Sequence, residues 1–246
     1  MVINYKIESA SRIGGRAENQ DCFRISEFQY GLLAVVCDGM GGANGGKIAA
    51  ELAVNRIFEE VSGSTGENPK AEIRNAIAMS NDAIFNESMK NPGLSGMGTT
   101  LTALLIMENH ALAFHVGDSR IYQLRKANIL FRTFDHSRVF ELVRLGILTE
   151  EEARVSPKSN IITRALGTSP GVEITVSEPL IYKKGDRFLL CTDGIWGTLP
   201  ETELMSLVAL ERPVSEVLNN LIGYIDRIGI EAGGMHDNMT AILIEI

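Results

Sequence analysis

The sequence predicts an α+β fold in which a central antiparallel β-sandwich is flanked by α-helices, in α-β-β-α layers. Runs of strand-like segments are interrupted by pairs of amphipathic helices, a pattern typical of layered α+β domains. The breaks between the middle strands hold only a few residues, whereas parallel crossovers need a dozen or more. No Pro/Ser-rich linker divides the chain, so we expect residues 1–246 to form a single domain.

The first half of the chain predicts three strands, two helices and then three more strands. The third strand is an apolar run between Gly31 and Gly39, and both helices repeat apolar residues every three to four positions. The later strands are rich in β-branched and aromatic residues. In chain order the segments are strands 2–9, 21–26 and 32–37, helices 47–61 and 70–89, and strands 99–107, 111–118 and 120–125.

The second half of the chain begins away from the predicted core. Residues 137–170 contain a short helix candidate followed by a polar and charged stretch, which indicates a surface excursion. An apolar strand then returns the chain to the sheet, and two further helices precede a final strand. These segments are helix 137–146, strand 186–192, helices 201–210 and 214–228, and strand 239–246.

Composition disfavours several classes of protein. The chain has 23 Lys and Arg against 31 Asp and Glu, and a net charge of −8 argues against a nucleic-acid partner. No apolar run approaches the ~20 residues that span a bilayer, and the N-terminal residues lack a signal-peptide pattern. We therefore expect a cytoplasmic protein without a membrane partner. Cys22, Cys37 and Cys191 have no paired spacing and predict reduced, buried thiols.

Four aspartates lie next to apolar strands and tight-turn residues. Asp38, Asp118 and Asp193 follow strands, and Asp237 precedes the last strand. A single such aspartate is most often a turn or cap residue, but four would converge if their strands end at one edge. Converging carboxylates require cations, and oxygen ligands without Cys or His favour Mg²⁺ or Mn²⁺. Gly39 would let a backbone carbonyl approach such an ion.

This pattern of carboxylates suits the hydrolysis of phosphate esters. Two divalent ions lower the pKa of a bridging water, orient it and offset the charge of the phosphoryl oxygens. An arginine nearby would hold two of those oxygens with its planar guanidinium, and Arg16 in GGRAENQD is the best candidate. The sequence has no CxxxxxR loop of the kind that a thiol mechanism would use.

A competing phosphate-binding motif starts at Gly41. The segment GGANGGKI matches the GxxxxGK part of a P-loop and lies between a predicted strand and a predicted helix. Position 48 is Ile, so the hydroxyl that binds Mg²⁺ is missing, and the charge of Asp38 precedes the loop. The strand-rich middle of the chain also lacks the parallel βαβ repeats of that fold. A P-loop nucleoside triphosphatase is therefore the least favoured of the functions considered.

Eight short motifs follow one another along nearly the whole chain. They are GRAENQDCF (15–23), VVCDGMGGANGG (35–46), GMGTTLTALLI (96–106), HVGDSRIYQLR (115–125), FDHS (134–137), NIITRALG (160–167), LLCTDGIWG (189–197) and DNMTAILIEI (237–246). In this order they resemble the metal-dependent protein phosphatases (the PPM family, type 2C serine/threonine phosphatases) in their compact bacterial form.

The resemblance implies a β-sandwich with outer helices and a binuclear Mg²⁺/Mn²⁺ site at one end. In that family a metal-bridging hydroxide attacks phosphorus directly, and the substrates are phosphoserine and phosphothreonine in proteins. A monomer opposed by a Ser/Thr kinase is expected. The resemblance implies that Asp38 bridges the two core ions, that Gly39 supplies a carbonyl ligand, and that Asp193 and Asp237 are further ligands. It implies that Asp118 with Asp193 holds a weaker third ion and that Arg16 takes part in phosphate binding and catalysis. Gln20, Asp21 and Asn238 would lie around the ligands, and a mobile flap would extend over about 145–166.

Two positions depart from the family pattern. Some members carry a histidine, proposed as the general acid, where this chain has Met40. Gly197 stands where an aspartate near the third ion is usual, which is expected to weaken that ion's site. The alternative function is a phosphoprotein-binding regulatory module with the same fold and little turnover. Gly197 supports this alternative, and the four retained aspartates oppose it.

Overall fold

Two antiparallel sheets form the centre of the protein. The structure is a computed structural model that describes residues 4–246. The strands are β1 (Lys6–Arg12), β2 (Asp21–Phe28), β3 (Gly31–Met40), β4 (Gly98–Thr99), β5 (Leu101–Ile106), β6 (Ala111–Val116), β7 (Arg120–Arg125), β8 (Asn128–Arg132), β9 (Thr175–Val176), β10 (Asp186–Cys191) and β11 (Met239–Glu245). The first sheet has the order β1-β11-β10-β7-β8. The second has the order β2-β3-β5-β6-β9, with β4 paired to β3.

Helices cover the outer faces of both sheets. Several begin with local capping: the side chain of Asn68 accepts from the N–H of Ala71, and Thr149 forms a capping box with Glu152. Within residues 4–246, none of the helices combines the length and apolar character that a membrane-spanning helix requires. The helices are α1 (Gly42–Ser62), α2 (Pro69–Lys90), α3 (Arg138–Arg144), α4 (Glu150–Arg154), α5 (Asp193–Trp196), α6 (Glu201–Val208) and α7 (Val214–Glu231).

Three apolar clusters fill the spaces between the layers, because successive residues of a strand face opposite sides of its sheet. In β3, Val36 packs between the two sheets, whereas Val35 packs on the other side with residues of α1 and α2. In β10, Leu190 joins the middle cluster and Leu189 joins the cluster under α7. The order of layers is therefore helix, sheet, sheet, helix, and the predicted fold class is confirmed.

The main error in the predicted elements is at the start of α1. The sequence predicted a helix from residue 47, with the preceding glycines as a connection, but the helix begins at Gly42. A Cβ at Gly46 would lie 2.7 Å from the Gln20 side chain and from the backbone of Gly39. These glycines therefore let the first turns of α1 pack closely on β3, although they lower intrinsic helix propensity.

Other boundaries and elements also differ from the prediction. The first strand runs over Lys6–Arg12 and not over 2–9; the part of that prediction at residues 2–3 lies outside the described residues. β1 is an edge strand, and its position follows from pairing with β11, from Lys6 opposite Glu245 to Arg12 opposite Met239. The sequence did not predict β8, β9, α4 or α5, which are short. The P-loop alternative is wrong, because β3 pairs antiparallel with both β2 and β5.

Candidate metal centre

The antiparallel strand order brings the predicted site residues to one end of the sandwich. β3 and β10 run toward this end, whereas β2, β7 and β11 start from it. Asp38 lies near the end of β3, and Asp193 lies two residues after the last residue of β10. Asp118 lies in the turn between β6 and β7, and Asp237 lies two residues before β11. Four carboxyl groups from distant parts of the chain therefore meet.

Asp38 and Asp21 occupy directly opposed positions on β3 and β2. The N–H of Asp38 donates to Thr100 Oγ1 at 2.9 Å, and its carbonyl accepts from the N–H of Thr100 at 2.8 Å. Thr192, at the end of the other sheet, donates through Oγ1 to Asp21 Oδ2 at 3.0 Å. The first two hydrogen bonds hold the backbone of Asp38, and the third holds the side chain of Asp21 and joins the two sheets beside it.

Gly39 lies where β3 meets the start of α1. A Cβ at this position would lie 2.0 Å from the carbonyl oxygen of Gly46, a distance that real Cβ atoms do not reach. The N–H of Gly39 donates to the carbonyl of Gln20 at 3.2 Å. The fold therefore requires glycine here for packing, whatever the carbonyl of Gly39 binds.

Asp193 is the first residue of the short helix α5. The helix lies directly on the start of β11, because a Cβ at Gly194 would be 1.9 Å from the carbonyl oxygen of Asn238. The carboxyl groups of Asp193 and Asp38 are close enough to hydrogen-bond to each other. Asp193 Oδ1 is buried and has no hydrogen-bond partner within the described part of the chain.

Asp118 is the most deeply buried of the four predicted aspartate ligands, with 5% of its surface exposed. The turn that carries it starts at Gly117, whose φ of +103° favours glycine. The indole N–H of Trp196 donates to the carbonyl of Asp118 at 2.9 Å. The guanidinium of Arg120 lies 3.6 Å from the centre of the Trp196 ring, and Asp135 binds that guanidinium through two hydrogen bonds. This buried network fixes the Asp118 turn.

Arg16 and Asp237 form an ion pair at the rim of the site, with Arg16 Nη2 2.8 Å from Asp237 Oδ2. The next residue, Asn238, links three parts of the chain. Its Oδ1 accepts from the N–H of Gln20 at 2.8 Å, and its Nδ2 donates to the carbonyls of Ile13 and Glu18. Asn238 therefore holds the loop that carries Arg16 against the start of β11, as a residue that surrounds the predicted ligands would.

Burial and mutual repulsion raise the pKa values of the clustered carboxyl groups. Burial, and then the charge of Asp237, raises the pKa of Asp193 to about 6. Burial, with repulsion from Asp193, raises the pKa of Asp21 to about 7. The pKa values of Asp38 and Asp118 also lie well above the usual range, because burial and the charge of Asp193 disfavour their ionised forms. The cluster therefore holds more negative charge than nearby cations offset.

The donor set fits hard divalent cations. It consists of carboxylate oxygens and a candidate backbone carbonyl, which Mg²⁺ and Mn²⁺ prefer. Asp193 Oδ1 and Asp21 Oδ1 are buried carboxylate oxygens without a hydrogen-bond donor in the described residues. Among those residues, no group of three or more His, Cys, Asp or Glu side chains is already arranged to hold an ion. Asp237 pairs with Arg16, and the carboxyl groups of Asp38 and Asp193 lie within hydrogen-bonding distance of each other.

A cleft of about 490 Å³ opens over this cluster. Its walls include Arg16, Gln20, Asp38 and Asp237. Met40, the last residue of β3, also lines the cleft. A group the size of a phosphoryl ester fits this volume. The lining brings together the predicted phosphate-binding arginine and two of the predicted ion ligands, whereas Asp118 and Asp193 lie outside the set of lining residues.

Gly197 connects the site to the segment predicted as a flap. Its N–H closes α5 by donating to the carbonyl of Asp193 at 2.7 Å, and its own carbonyl accepts from Arg154 Nη1 at 2.9 Å. Arg154 ends α4, within the range 145–166. A Cβ at Gly197 would lie 2.7 Å from the carbonyl oxygen of Asp193, so a larger residue requires a shift of α5.

Sequence reasoning missed the hydroxyl residues that hold Asp38 by its backbone and Asp21 by its side chain. Thr100 and Thr192 bind Asp38 and Asp21, and Ser119 Oγ lies 2.7 Å from Thr100 Oγ1. The only sequence signal was adjacency, since Thr192 precedes Asp193 and Ser119 follows Asp118. Hydroxyl groups at strand ends are common, so this signal does not separate them from ordinary turn residues.

Comparisons with known proteins agree with this geometry. A family model described as Protein phosphatase 2C matches residues 9–229. The chain is 35% identical over 237 residues to the serine/threonine phosphatase stp of Listeria monocytogenes, covering 94% of this chain and 88% of the relative. The serine/threonine phosphatase Stp1 from Staphylococcus aureus superposes with a TM-score of 0.88 at 28% identity, covering 99% of this chain and 96% of that one. The catalytic domain of the serine/threonine protein phosphatase PstP, solved in complex with two manganese ions, superposes with a TM-score of 0.81 at 30% identity, covering 98% and 97%.

Proposed function

The chain belongs to the protein phosphatase 2C family, and on this premise we propose how its carboxylate cluster acts on phosphoproteins. It is a metal-dependent serine/threonine protein phosphatase that uses Mn²⁺ or Mg²⁺. The observation that carries the assignment of the site is the convergence of Asp38, Asp118, Asp193 and Asp237 at one end of the sandwich, with pKa values raised at the first three.

Asp38, Asp193 and Asp237, with the carbonyl of Gly39, would hold two divalent ions. The bound ions supply a water of lowered pKa as nucleophile and neutralise the charge of the phosphoryl oxygens. Asp118 with Asp193 would hold a weaker third ion, because Gly197 offers no carboxylate there. Two buried carboxylate oxygens without hydrogen-bond donors in the described residues, one of them on Asp193, support this assignment.

Arg16 binds the phosphoryl group of the substrate in this proposal. Its side chain is 53% exposed and lies on the wall of the cleft, within reach of an incoming ester. An ion held by Asp237 would compete with Arg16 for that carboxylate and would leave the guanidinium fork available for two phosphoryl oxygens. Gln20, Asp21 and Asn238 hold the loop and the strand ends in position.

The cysteines do not support a thiol route. Cys37 and Cys191 are fully buried, and burial raises the pKa values of both thiols above the usual range. Burial likewise raises the pKa of Cys22. A buried thiol with a raised pKa is a poor nucleophile. This favours direct attack on phosphorus without a phosphoenzyme.

The finer parts of the proposal concern the chain's organisation and setting. Residues 1–246 act as one catalytic domain, with a flap over about 145–166 that contributes to substrate selection. The protein works as a monomer in the cytoplasm, in a signalling pair with a Ser/Thr kinase whose products it hydrolyses. The net charge of −8 argues against nucleic acid as a partner.

The test is hydrolysis of p-nitrophenyl phosphate and of a phosphothreonine peptide in EDTA, Mg²⁺ and Mn²⁺, with Asp38→Asn measured alongside. We expect turnover only with metal and none in the variant. A folded protein that binds the phosphopeptide but does not hydrolyse it under any condition would favour the alternative, a phosphoprotein-binding regulatory module. Substantial activity of Asp38→Asn would overturn the assignment of the bridging ligand.

A further inference from the structure

A second cleft lies between the two sheets, along the edge where β8 and β9 are the outermost strands. This cleft, here called the edge crevice, has a volume of about 330 Å³. It shares no lining residue with the cleft over the carboxylate cluster. The residues used below, all in its lining, are His115 of β6, Phe134 and His136 after β8, Arg144 at the end of α3, Arg164 at the end of the flap segment, and Thr175 of β9.

Two imidazole rings form the floor of the edge crevice. His115 and His136 are almost fully buried, and their ring centres are 4.5 Å apart. The N–H of Gly117 donates to His136 Nδ1 at 3.1 Å, so the ring proton of neutral His136 lies on Nε2, 3.0 Å from Thr175 Oγ1. His115 Nε2 is buried and has no hydrogen-bond partner in the described part of the chain. Unpartnered buried polar atoms of this kind are uncommon in folded proteins.

Guanidinium groups surround the mouth of the edge crevice. Arg144 has its guanidinium 4.8 Å from the centre of the Phe134 ring and has no carboxylate within ion-pair distance among residues 4–246. Arg164 has one Nη 3.5 Å from His136 Nε2, and its carboxylate partner, Glu173, has a side chain that is 74% exposed. An exposed ion pair of this kind holds its arginine weakly.

The third arginine in the lining does not add free charge. Arg132 forms ion pairs with Glu150 and with Glu201, at 2.5 Å and 2.7 Å. The positive charge available to a ligand therefore comes from Arg144 and Arg164. The protein as a whole has a net charge of −8, so these two arginines form a local patch of positive charge beside the two imidazoles.

We propose that the edge crevice is a second binding site for a tetrahedral oxyanion, separate from the metal centre. The ligand class is a phosphate group, held by the guanidinium groups of Arg144 and Arg164 beside the imidazoles of His115 and His136. Guanidinium forks match phosphate oxygens in two-point contacts, and His115 Nε2 is the imidazole nitrogen left to hydrogen-bond the ligand. The phosphate group comes either from free inorganic phosphate or from a second phosphorylated residue of a substrate.

Backbone hydrogen bonds connect the edge crevice to the metal centre. The backbone N–H of His136 donates to the carbonyl of Gly117 at 2.7 Å, and Gly117 precedes Asp118. The carbonyl of His136 accepts from the N–H of Thr163 at 2.7 Å, at the base of the flap segment. A ligand that packs against His136 in the edge crevice therefore contacts the residue that joins the Asp118 turn to the flap segment.

Histidine NMR provides a direct test, because the chain has four histidines. Sulfate and then inorganic phosphate are titrated into the Mg²⁺-loaded protein while the imidazole resonances are followed. We expect the resonances of His115 and His136 to shift with saturation, while that of His110 serves as the internal reference and that of His236, next to Asp237, reports on an anion at the metal centre. Shifts of His115 and His136 that follow a different saturation curve from those of His236 would show that they do not come from an anion at the metal centre.

Two substitutions on one helix provide the matched comparison. Arg144→Gln removes the unpaired guanidinium, and Arg138→Gln removes an exposed arginine of α3 that does not line the edge crevice. We expect about tenfold weaker binding in the first and unchanged binding in the second, since a charge-assisted contact contributes about that factor. Equal affinities in both variants, or no shift of His115 and His136 at millimolar anion, would overturn the proposal.

The source of the phosphate group is decided by peptides that carry one or two phosphothreonines, bound to the inactive Asp38→Asn variant. Tighter binding of the doubly phosphorylated peptide, lost when Arg144→Gln is added, supports a second phosphorylated residue as ligand. Equal binding of both peptides, together with the phosphate-induced shifts, supports free phosphate. Either result is independent of whether the metal centre acts as proposed, because neither uses turnover.

Discussion

Asp21 lies beside Asp38 and Asp193, and its replacement by asparagine is expected to stabilise the metal-free protein at pH 8. Asparagine has nearly the same shape and keeps an oxygen to accept the hydrogen bond from Thr192. It carries no charge, so it removes one of the repelling groups that burial has placed together. The substitution thus separates the electrostatic cost of the cluster from its packing.

The magnitude follows from the pKa of Asp21, which rises from 3.8 to about 7 on folding. At 1.36 kcal/mol for each pKa unit, full ionisation of this group at pH 8 costs the folded state about 4 kcal/mol. Asp21, Asp38 and Asp193 titrate together, so the gain from removing one of them is smaller, about 2 kcal/mol. A raised carboxyl pKa contributes stability below pH 4 that is lost as the pH rises through about 7. The gain should therefore be near zero at pH 4 and largest at pH 8.

The assay is urea unfolding of EDTA-treated protein at pH 4 and pH 8, for the wild type and for Asp21→Asn. Asp186→Asn is the matched control, for which the expected change in stability has the opposite sign. Burial of Asp186 is outweighed by hydrogen bonds from Arg125 and from the backbone of Lys183, which hold its pKa below the usual range. Its replacement should lower stability at pH 8. Added Mn²⁺ should remove most of the advantage of Asp21→Asn, because bound cations offset the same charges.

The reasoning is refuted if Asp21→Asn is no more stable than the wild type at pH 8 without metal. It is also refuted if the gain is the same at pH 4 and pH 8, because a gain independent of pH would come from packing and not from charge. A gain that persists undiminished in saturating Mn²⁺ would mean that Asp21 does not belong to the cluster that binds the ions.

Further predictions concern the same site and its support. Asp38→Asn should abolish hydrolysis of p-nitrophenyl phosphate with an unchanged circular-dichroism spectrum, since the bridging carboxylate is lost; retained turnover would contradict that role. Arg16→Ala should raise KM for a phosphothreonine peptide severalfold with little change in kcat, and shift stability by under about 1 kcal/mol because its ion pair is exposed; a fall in kcat alone would indicate another role. Gly39→Ala should lower the free energy of unfolding by about 3 kcal/mol in urea, because its Cβ would meet backbone at 2.0 Å. Asp135→Ala should cost about 3–5 kcal/mol in thermal unfolding, because the buried Arg120 would keep only the more distant carboxylate of Glu201, at 3.7 Å, and a loss below about 1 kcal/mol would contradict this.

The arrangement separates two tasks within one end of the sandwich. Backbone hydrogen bonds and close packing at glycines hold Asp38 and Asp193 in place; a Cβ at Gly194, for example, would lie 1.9 Å from the carbonyl oxygen of Asn238. Arg16, in contrast, is half exposed, and Asp237 is its one ion-pair partner among the described residues. In the proposed function, fixed ligands and an exposed arginine would suit a site that keeps its ions while it exchanges phosphate groups.

The local pattern of the sequence was sufficient to predict the fold class and most strands. The cores of β3 and β10 are short, continuous runs of apolar residues, and such runs indicate buried strands without knowledge of any partner. The aspartates at the ends of apolar segments were found in the same way. Their joint role as ion ligands remains a prediction, since their number and type, and not a contact, indicated it.

Tertiary structure decided what depends on residues far apart in the chain. The pairing of Arg16 with Asp237, the hydrogen bond between Thr192 and Asp21 and the start of α1 at Gly42 have no local signal. β9 is two residues long, and only its pairing with β6 makes it a strand. Periodicity records which face of an element is buried, whereas the pKa values, the close contacts and the edge crevice arise from which faces meet. Burial and charge act through space, so they follow from the assembled layers and not from the order of residues.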